Sequence, residues 1–282
     1  MNKEQLNRLI QLALQEDIGD GDHSTLSCIS KDAKGKAILK IKQDGILAGV
    51  DVAEQIFRYM EPGILFTRFK QDGENMQNGE TAFEVQAHVH TILQCERLVL
   101  NSMQRMSGIA TLTRKYVEKI SGYKTRLLDT RKTTPNFRLL EKEAVKIGGA
   151  SNHRFGLYDM MMLKDNHIDY CGGIEKAISK AFDYKKQFKP ELKIEVETRN
   201  LADVEAVLRS GKADRIMLDN FSPAQIVDAL KLIDGKYETE ASGGINLDNI
   251  QQYAATGVDF ISSGAIIHQA VSLDLSLKAI IV

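Results

Sequence analysis

The spacing of hydrophobic positions changes near residue 120, and the predicted architecture changes with it. Before that point Leu6, Leu9, Ile10, Ala13 and Leu14 share one face of a helix over Lys3–Glu16. Gly35–Ala48 alternates as strands around an Asp44-Gly45 turn, and Val50–Tyr59 returns to helical spacing. Ile64–Lys70 and Thr81–Val89 read as further strands, with Gly73 and Asn78-Gly79 punctuating between them. From Ile92 to about Ile120 the spacing is helical again. Helices beside a mostly antiparallel sheet predict an α+β domain over residues 1–112.

Beyond residue 120 the pattern is strand, loop, helix, repeated. Short apolar runs (RLLD, DMMML, KIEVE, RIMLD, YETEAS, DFISS) alternate with helical stretches at Ile174–Phe188, Leu201–Ser210, Pro223–Ile233, Leu247–Ala255 and Ile266 onward. The last four strands recur about every 21–23 residues, a tight βα repeat that predicts a parallel sheet over residues 113–271. Nearly every strand ends in a polar or glycine residue: Asp129–Arg131, Lys164, Glu197, Asp219, Ser242–Gly244, Ser263–Gly264. A barrel assembles its site from many strand ends, whereas an open sheet uses one switch point. Glu195 and Glu197 lie on one face of their strand, and a carboxylate against an apolar helix layer is costly, so both are expected to point into a polar barrel mouth. Six strands are evident, and a seventh would have to lie around Val145–Gly149, which makes the barrel incomplete. The tail at 272–282 is expected to pack on the first domain.

Composition narrows the function classes. Lys and Arg number 37 against 38 Asp and Glu, a net charge of −1, so no general basic field for polyanions exists. No apolar run approaches the ~18–20 residues of a membrane span. The opening MNKEQLNRLIQLALQED mixes polar residues among its leucines and reads as an amphipathic helix, not a signal peptide. Cys28, Cys95 and Cys171 are scattered, without a CxxC pair. That argues against a disulfide framework or structural zinc and predicts a cytoplasmic protein.

The neutral total conceals a local imbalance. Arg126–His167 holds eight Lys/Arg against five Asp/Glu, and Glu191–Asp219 reverses this to five against seven. The first stretch gathers Arg131, Lys132, Arg138, His153, Arg154, Lys164 and His167 at strand and loop ends, where guanidinium forks and ammonium charges can grip a small anion. A solvated basic loop is the bland alternative. His153 and His167 lack close metal-ligand spacing and are read as hydrogen-bonding residues. Lys164 could also serve as a Schiff-base lysine. Glu197 and Asp219, at successive strand ends, could bind ribose hydroxyls, hold magnesium through water, or pair with Lys164 or Arg131. EASGGINLDNI and ISSGAI each run from a strand through glycine into a helix, which suits a phosphate pocket at late barrel strands. Arg97, on a largely apolar helix, reads from spacing alone as a surface residue. In EDIGDGDHST a helix ends at a turn, with Asp22 or Ser24 as capping residue, and Met160–Met162 read as packing.

The strings EDIGDGD, ERLVLN, SGIATLT, DTRKTTP, GGASNHR, LKDNH, EVE, MLDN, EASGGI and SSGAI occur in this order along essentially the whole chain. In them the sequence resembles the quinolinate phosphoribosyltransferase (carboxylating nicotinate-nucleotide pyrophosphorylase) family. Asn136 stands where the family pattern has glycine. The resemblance implies an N-terminal sandwich-like α+β domain and an incomplete, roughly seven-stranded α/β barrel, in a homodimer. It implies transfer of phosphoribosyl from phosphoribosyl pyrophosphate to quinolinate, giving nicotinate mononucleotide, pyrophosphate and CO2, with Mg2+ and a place in NAD synthesis. Carried over, quinolinate would meet Arg131, His153, Arg154 and Lys164, with Arg97 from the neighbouring subunit. Lys132, Lys164, Glu197 and Asp219 would serve phosphoribosyl pyrophosphate and catalysis, the two carboxylates also holding magnesium, directly or through water. Ser242, Gly243, Gly244, Gly264, Ala265 and Ile266 would cradle the 5′-phosphate. A barrel aldolase or isomerase using Lys164, and a non-catalytic nucleotide-binding paralogue, remain alternatives, and no nucleic acid or membrane partner is expected.

Overall fold

The computed structural model describes residues 1–280, so the last two residues of the tail expected at 272–282 lie outside the described residues. Along the chain run α1 (Lys3–Ile18), α2 (His23–Cys28), β1 (Lys34–Ile41), β2 (Gly45–Ile46), α3 (Val50–Met60), β3 (Leu65–Arg68), β4 (Asn75–Met76), β5 (Thr81–His88) and α4 (Val89–Lys119). Next come β6 (Arg126–Leu128), α5 (Arg138–Ile147), β7 (Met161–Leu163), α6 (Asp165–Cys171), α7 (Ile174–Phe188), β8 (Ile194–Thr198), α8 (Leu201–Ser210) and β9 (Arg215–Asp219). The chain closes with α9 (Pro223–Ile233), β10 (Glu238–Ser242), α10 (Ile250–Ala254), β11 (Phe260–Ser262), α11 (Ala265–His268) and β12 (Leu275–Ile280).

Two compact units result. The first combines Met1–Arg114, Thr133–Gly149 and the chain from Ile266 onward; the second combines Lys115–Lys132 and Ala150–Ala265. In the first, an antiparallel sheet of order β12-β1-β5-β3 is joined by the two-stranded β2-β4 pair. Alternation does what it should: Ala37, Leu39 and Ile41 of β1 and Phe83, Val85 and Ala87 of β5 are buried. Phe83 packs edge-on to Phe57 of α3 at 6.3 Å and against Phe66 of β3 at 4.5 Å between ring centroids. Asn2 caps α1 by accepting from Glu4 and Gln5, and Asp22 caps α2 by accepting from Thr25.

The second unit is a parallel sheet of order β6-β11-β10-β9-β8-β7. Beyond β6 a single parallel bridge, Leu128 to Ser151, occupies the seventh strand position, and the ladder is broken between Ser151 and β7. This is an incomplete α/β barrel. The strand sought around Val145–Gly149 is instead the end of α5 and its turn. Helix α5 was obscured because its inner face carries Glu141 and Lys142 beside Leu140, Ala144 and Val145, all buried. Glu141 is satisfied by Arg105 (2.9 Å), by the Thr134 N–H (2.8 Å) and by the Thr134 hydroxyl (2.9 Å), so a charged residue sits where the pattern demands an apolar one.

Candidate active site

Strand geometry places the polar residues of the second unit in layers. Positions two apart on a strand share a face, so Glu195 and Glu197 of β8, Arg215, Met217 and Asp219 of β9, and Glu238, Glu240 and Ser242 of β10 form parallel columns. Across the ladder Glu197 and Glu240 both pair with Met217, and Ser242 pairs with Asp219, but strand tilt offsets ladder partners in height.

At the carboxyl ends of the strands Lys164 approaches Glu197 to 3.5 Å. Burial pushes the Asp219 carboxyl above its usual range, while the nearby charges of Lys164 and Lys132 and a hydrogen bond from Asn220 act against that rise. Lys132, Lys164, Glu197 and Asp219 are thus brought together. Lys164 is paired with the Glu197 carboxylate, not set unpaired among cations as a Schiff-base lysine would be. The Lys164 N–H donates to His167 Nδ1 (3.0 Å) at the start of α6, so His167 is a capping residue.

Arg131 and Arg154 form the cationic side. Burial and then the charge of Arg131 lower the proton affinity of Arg154. The Arg154 guanidinium donates to the Met160 carbonyl (3.3 Å), and Arg131 stays exposed. Arg131 leaves the end of β6 on a loop whose Lys132 N–H donates to Thr130 Oγ1 (3.1 Å). Within the same loop region Asn136 adopts φ 61°, a left-handed conformation that glycine occupies freely and asparagine tolerates, which explains how this departure from the family pattern is accommodated.

His153 belongs to a deeper layer than the sequence suggested. Its side chain is 5% exposed, with Nε2 2.9 Å from Glu195 and 3.2 Å from Glu240, both fully buried. Arg215 closes this layer, 3.1 Å from Glu240 and 3.1 Å from Glu238, with its guanidinium 4.2 Å above the Phe260 ring. Glu195 therefore lies beneath the mouth, and only Glu197 of the pair reaches the Lys164 layer. Burial opposes charge on the His153 ring, but hydrogen bonds to Glu195 and Glu240 outweigh it and push the imidazole up to about 9. The Arg154 N–H donates to His153 Nδ1 (2.7 Å), which requires a lone pair there and opposes a doubly protonated ring. Burial and then Glu240 raise Glu195 to about 7. Burial also pushes Glu240 upward, but His153, Ser262 and Arg215 hold it low.

The glycine-containing ends of β10 and β11 are built for close approach. Gly243 has φ 95°, and a Cβ there would collide with the side chain and backbone nitrogen of Asn220. Asn220 has φ 58°, donates its N–H to the Ser242 carbonyl (2.8 Å) and its Nδ2 to Asp219 (2.6 Å). Gly244 follows with φ 63° and open space where a side chain would lie, and Gly264 joins β11 to α11, which starts at Ala265 and Ile266. In the first unit Arg97 stands on α4 with its side chain 67% exposed and Glu96 at 3.5 Å.

Sequence reasoning passed over Glu240, Arg215 and Asn220. The signal for the first two was available: Glu240 lies two positions before Ser242 and Arg215 four before Asp219, each on the strand face that ends in the site. For Asn220 none was visible, because its backbone conformation is the informative feature.

A parallel barrel with cations and carboxylates converging at its strand ends defines an enzyme that handles small anionic substrates. Comparison with known proteins gives the family. The family model described as the C-terminal domain of quinolinate phosphoribosyl transferase matches residues 109–278, and that for the N-terminal domain matches residues 22–107. The chain is 43% identical over 288 residues to quinolinate phosphoribosyltransferase (decarboxylating) 1b of Nicotiana tabacum, covering 97% of this chain and 82% of the relative. It is also 43% identical, with the same coverage, to the chloroplastic nicotinate-nucleotide pyrophosphorylase (carboxylating) of Arabidopsis thaliana. The solved nicotinate-nucleotide pyrophosphorylase of Francisella tularensis superposes with a TM-score of 0.90 at 40% identity, covering 99% of this chain and 98% of that one. The chain belongs to the quinolinate phosphoribosyltransferase family.

Proposed function

We propose that the protein transfers phosphoribosyl from phosphoribosyl pyrophosphate to the ring nitrogen of quinolinate and releases CO2, forming nicotinate mononucleotide for NAD synthesis. The observation that carries this reading is the meeting of both signs of charge at the strand ends, where Lys164 lies 3.5 Å from Glu197 and the charge of exposed Arg131 reaches half-buried Arg154. The pyridine nitrogen is itself the nucleophile, so the protein needs no base to create one. Its task is to align that nitrogen with the anomeric carbon and to stabilise the departing pyrophosphate. The nitrogen forms the new C–N bond as the C–O bond to pyrophosphate breaks. The 2-carboxylate then leaves as CO2, and the ring carbanion, stabilised by the positive nitrogen, takes up a proton.

In this reading Arg131, His153, Arg154 and Lys164 hold the quinolinate carboxylates, and Arg97 reaches the site from the partner subunit of a homodimer. Lys132 and Lys164 face the phosphoribosyl pyrophosphate, Glu197 and Asp219 take the ribose hydroxyls, and Ser242, Gly243, Gly244, Gly264, Ala265 and Ile266 receive the 5′-phosphate. Glu197 and Asp219 also fit magnesium as two carboxylates at neighbouring strand ends, a donor set that suits an ion completing its shell with water and substrate oxygens. Such an ion would offset charge on the leaving pyrophosphate. A cytoplasmic location belongs to this reading, on the three free cysteines; among the described residues no helix is long and apolar enough to cross a membrane.

The test is release of labelled CO2 from carboxyl-labelled quinolinate, with and without phosphoribosyl pyrophosphate. Release dependent on the second substrate, with no nucleotide formed from nicotinate as the control acceptor, is expected. Lack of any release would overturn the proposal.

A further inference from the structure

One largely buried ion pair touches all three stretches of chain from which the first unit is assembled. Arg105 stands on α4, in the stretch Met1–Arg114, and Glu141 on α5, in the stretch Thr133–Gly149. Glu141 is fully buried, 2.8 Å from the Arg105 guanidinium, and also accepts the N–H (2.8 Å) and the hydroxyl (2.9 Å) of Thr134. Arg105 reaches the third stretch as well, donating to the carbonyls of Ile267 (2.8 Å) and Ala270 (2.7 Å). The surrounding face of α4 is shaped to receive that stretch. A Cβ on Gly108, in the SGIATLT string, would collide with the Val271 carbonyl. The Gln104 carbonyl accepts the Leu273 N–H (3.1 Å), and its side chain donates to the Leu275 carbonyl (3.0 Å). Both bound stretches start directly after residues of the proposed phosphoribosyl pyrophosphate site: Thr134 lies two positions beyond Lys132, and Ile267 one beyond Ile266. An apolar cluster would join three stretches without burying charge. A guanidinium fork and a carboxylate instead fix them at set distances and directions.

We infer that Arg105 and Glu141 are positioning residues for phosphoribosyl pyrophosphate: they pin the chain that leaves Lys132 and the chain that leaves the 5′-phosphate pocket to one helix, so that both grip the substrate at a fixed spacing. The inference rests on the proposed function, in which Lys132 faces that substrate and Gly264, Ala265 and Ile266 receive its 5′-phosphate. Arg105 commits all three guanidinium nitrogens to protein, Nε and Nη2 to Glu141, Nη2 also to Ile267 and Nη1 to Ala270, so it acts through the backbone it holds. Of the residues assigned to quinolinate only Arg131 adjoins a bound stretch; His153, Arg154 and Lys164 adjoin neither. Loss of the pair therefore falls mainly on the phosphoribosyl substrate.

A positioning role differs from a purely structural one in which constant it moves. Arg105→Lys keeps a positive charge opposite Glu141 and loses the fork that reaches both carbonyls. In the full-length protein the KM for phosphoribosyl pyrophosphate should rise at least about fivefold, with the quinolinate KM and kcat within about twofold of the parent. Thr134→Val is the milder companion. Thr134 is exposed, and the change removes one hydroxyl hydrogen bond while leaving the ion pair whole. Its KM for phosphoribosyl pyrophosphate should rise at least about threefold with an unchanged Tm. A lowered Tm with both KM values parent-like in Arg105→Lys would show a merely structural pair and overturn the inference. Equal rises in both KM values, a rise confined to quinolinate, or a fall in kcat alone would overturn it too. Should Arg105→Lys not fold, Thr134→Val decides alone, and parent-like constants there refute the inference. An inactive parent would strike down the functional reading itself, whereas an active parent with an unmoved phosphoribosyl pyrophosphate KM in the variants strikes down only the positioning role.

Discussion

The two sheets of this protein solve opposite problems. In the first unit β1 and β5 alternate, one face buried in an apolar cluster around Phe57, Phe66 and Phe83, the other bearing Lys36 and Glu84 as an ion pair at 3.0 Å. In the second, β8 buries all five of its residues, two of them glutamates, and β10 buries Thr239 and Glu240. Charge sits outside one sheet and inside the other. Apolar burial is enough to explain the first, since hydrophobic strands lose nothing by being dry. The second is explained only by function: interior carboxylates cost desolvation, and they are tolerated because each has a cationic or hydrogen-bonding partner leading toward the strand ends.

Substitutions in each sheet put this contrast to the test. The largest effects should come from the interiors of both sheets, for different reasons. Phe83→Ala leaves a cavity in the first unit and should lower stability by about 3–5 kcal/mol while the surviving folded protein keeps its substrate KM values. Arg215→Ala leaves buried Glu240 without its guanidinium and should cost a similar ~3–5 kcal/mol. Chemical denaturation followed by kinetics separates them, because only the second should also raise the quinolinate KM. An equal loss of affinity in Phe83→Ala would erase the distinction between the units.

Intermediate effects are expected at Asn220, whose φ of 58° and bond to Asp219 are separable. Asn220→Ala should lose ~1 kcal/mol or more from the left-handed backbone and also weaken phosphoribosyl pyrophosphate binding. Asn220→Gly should recover the stability but not the affinity. If glycine restores both, the amide does not orient Asp219.

The smallest effect belongs to the outer face of the first unit. Burial pushes Glu54 upward, but hydrogen bonds from Arg68 and Arg58 outweigh it and hold the carboxyl below its ordinary 4.5. A carboxyl depressed in the folded state stabilises above its unfolded pKa and loses that contribution as pH falls through the folded value. Arg68→Ala should therefore cost at most ~1 kcal/mol at pH 7, with the deficit against the parent shrinking below about pH 4.5. A deficit that is constant or grows on acidification would show that Arg68 acts by packing.

Much of this could be read from the sequence where local signals suffice. Helices α7, α8 and α9 match their predicted limits to the residue, helped by Asn200 and Ser222 at the N-caps and Gly211 at a C-terminus. The clustering of Lys132, Lys164, Glu197 and Asp219 followed from strand ends alone. What escaped was non-local. Helix α5 hid behind a buried Glu141 whose partner Arg105 lies 36 positions away, and α6 is a seven-residue helix with only Ile168 buried, too little to show a period. The seventh strand position shrank to one residue, Ser151, because the chain there is fixed by Asp129 and His153 instead of a ladder. Glu240 and Arg215 acquire meaning only once barrel curvature brings β8, β9 and β10 around His153.

Whether Arg131 and Arg154 at the barrel mouth grip a pyridine dicarboxylate for phosphoribosyl transfer shows in a single quantity. It is kcat/KM for labelled CO2 release from quinolinate in Arg154→Ala beside the parent, at saturating phosphoribosyl pyrophosphate. A charge-assisted hydrogen bond contributes about 1.5–3 kcal/mol, so the account predicts a fall of at least about tenfold with an unchanged Tm. Parent-like kcat/KM in a folded Arg154→Ala protein would contradict it.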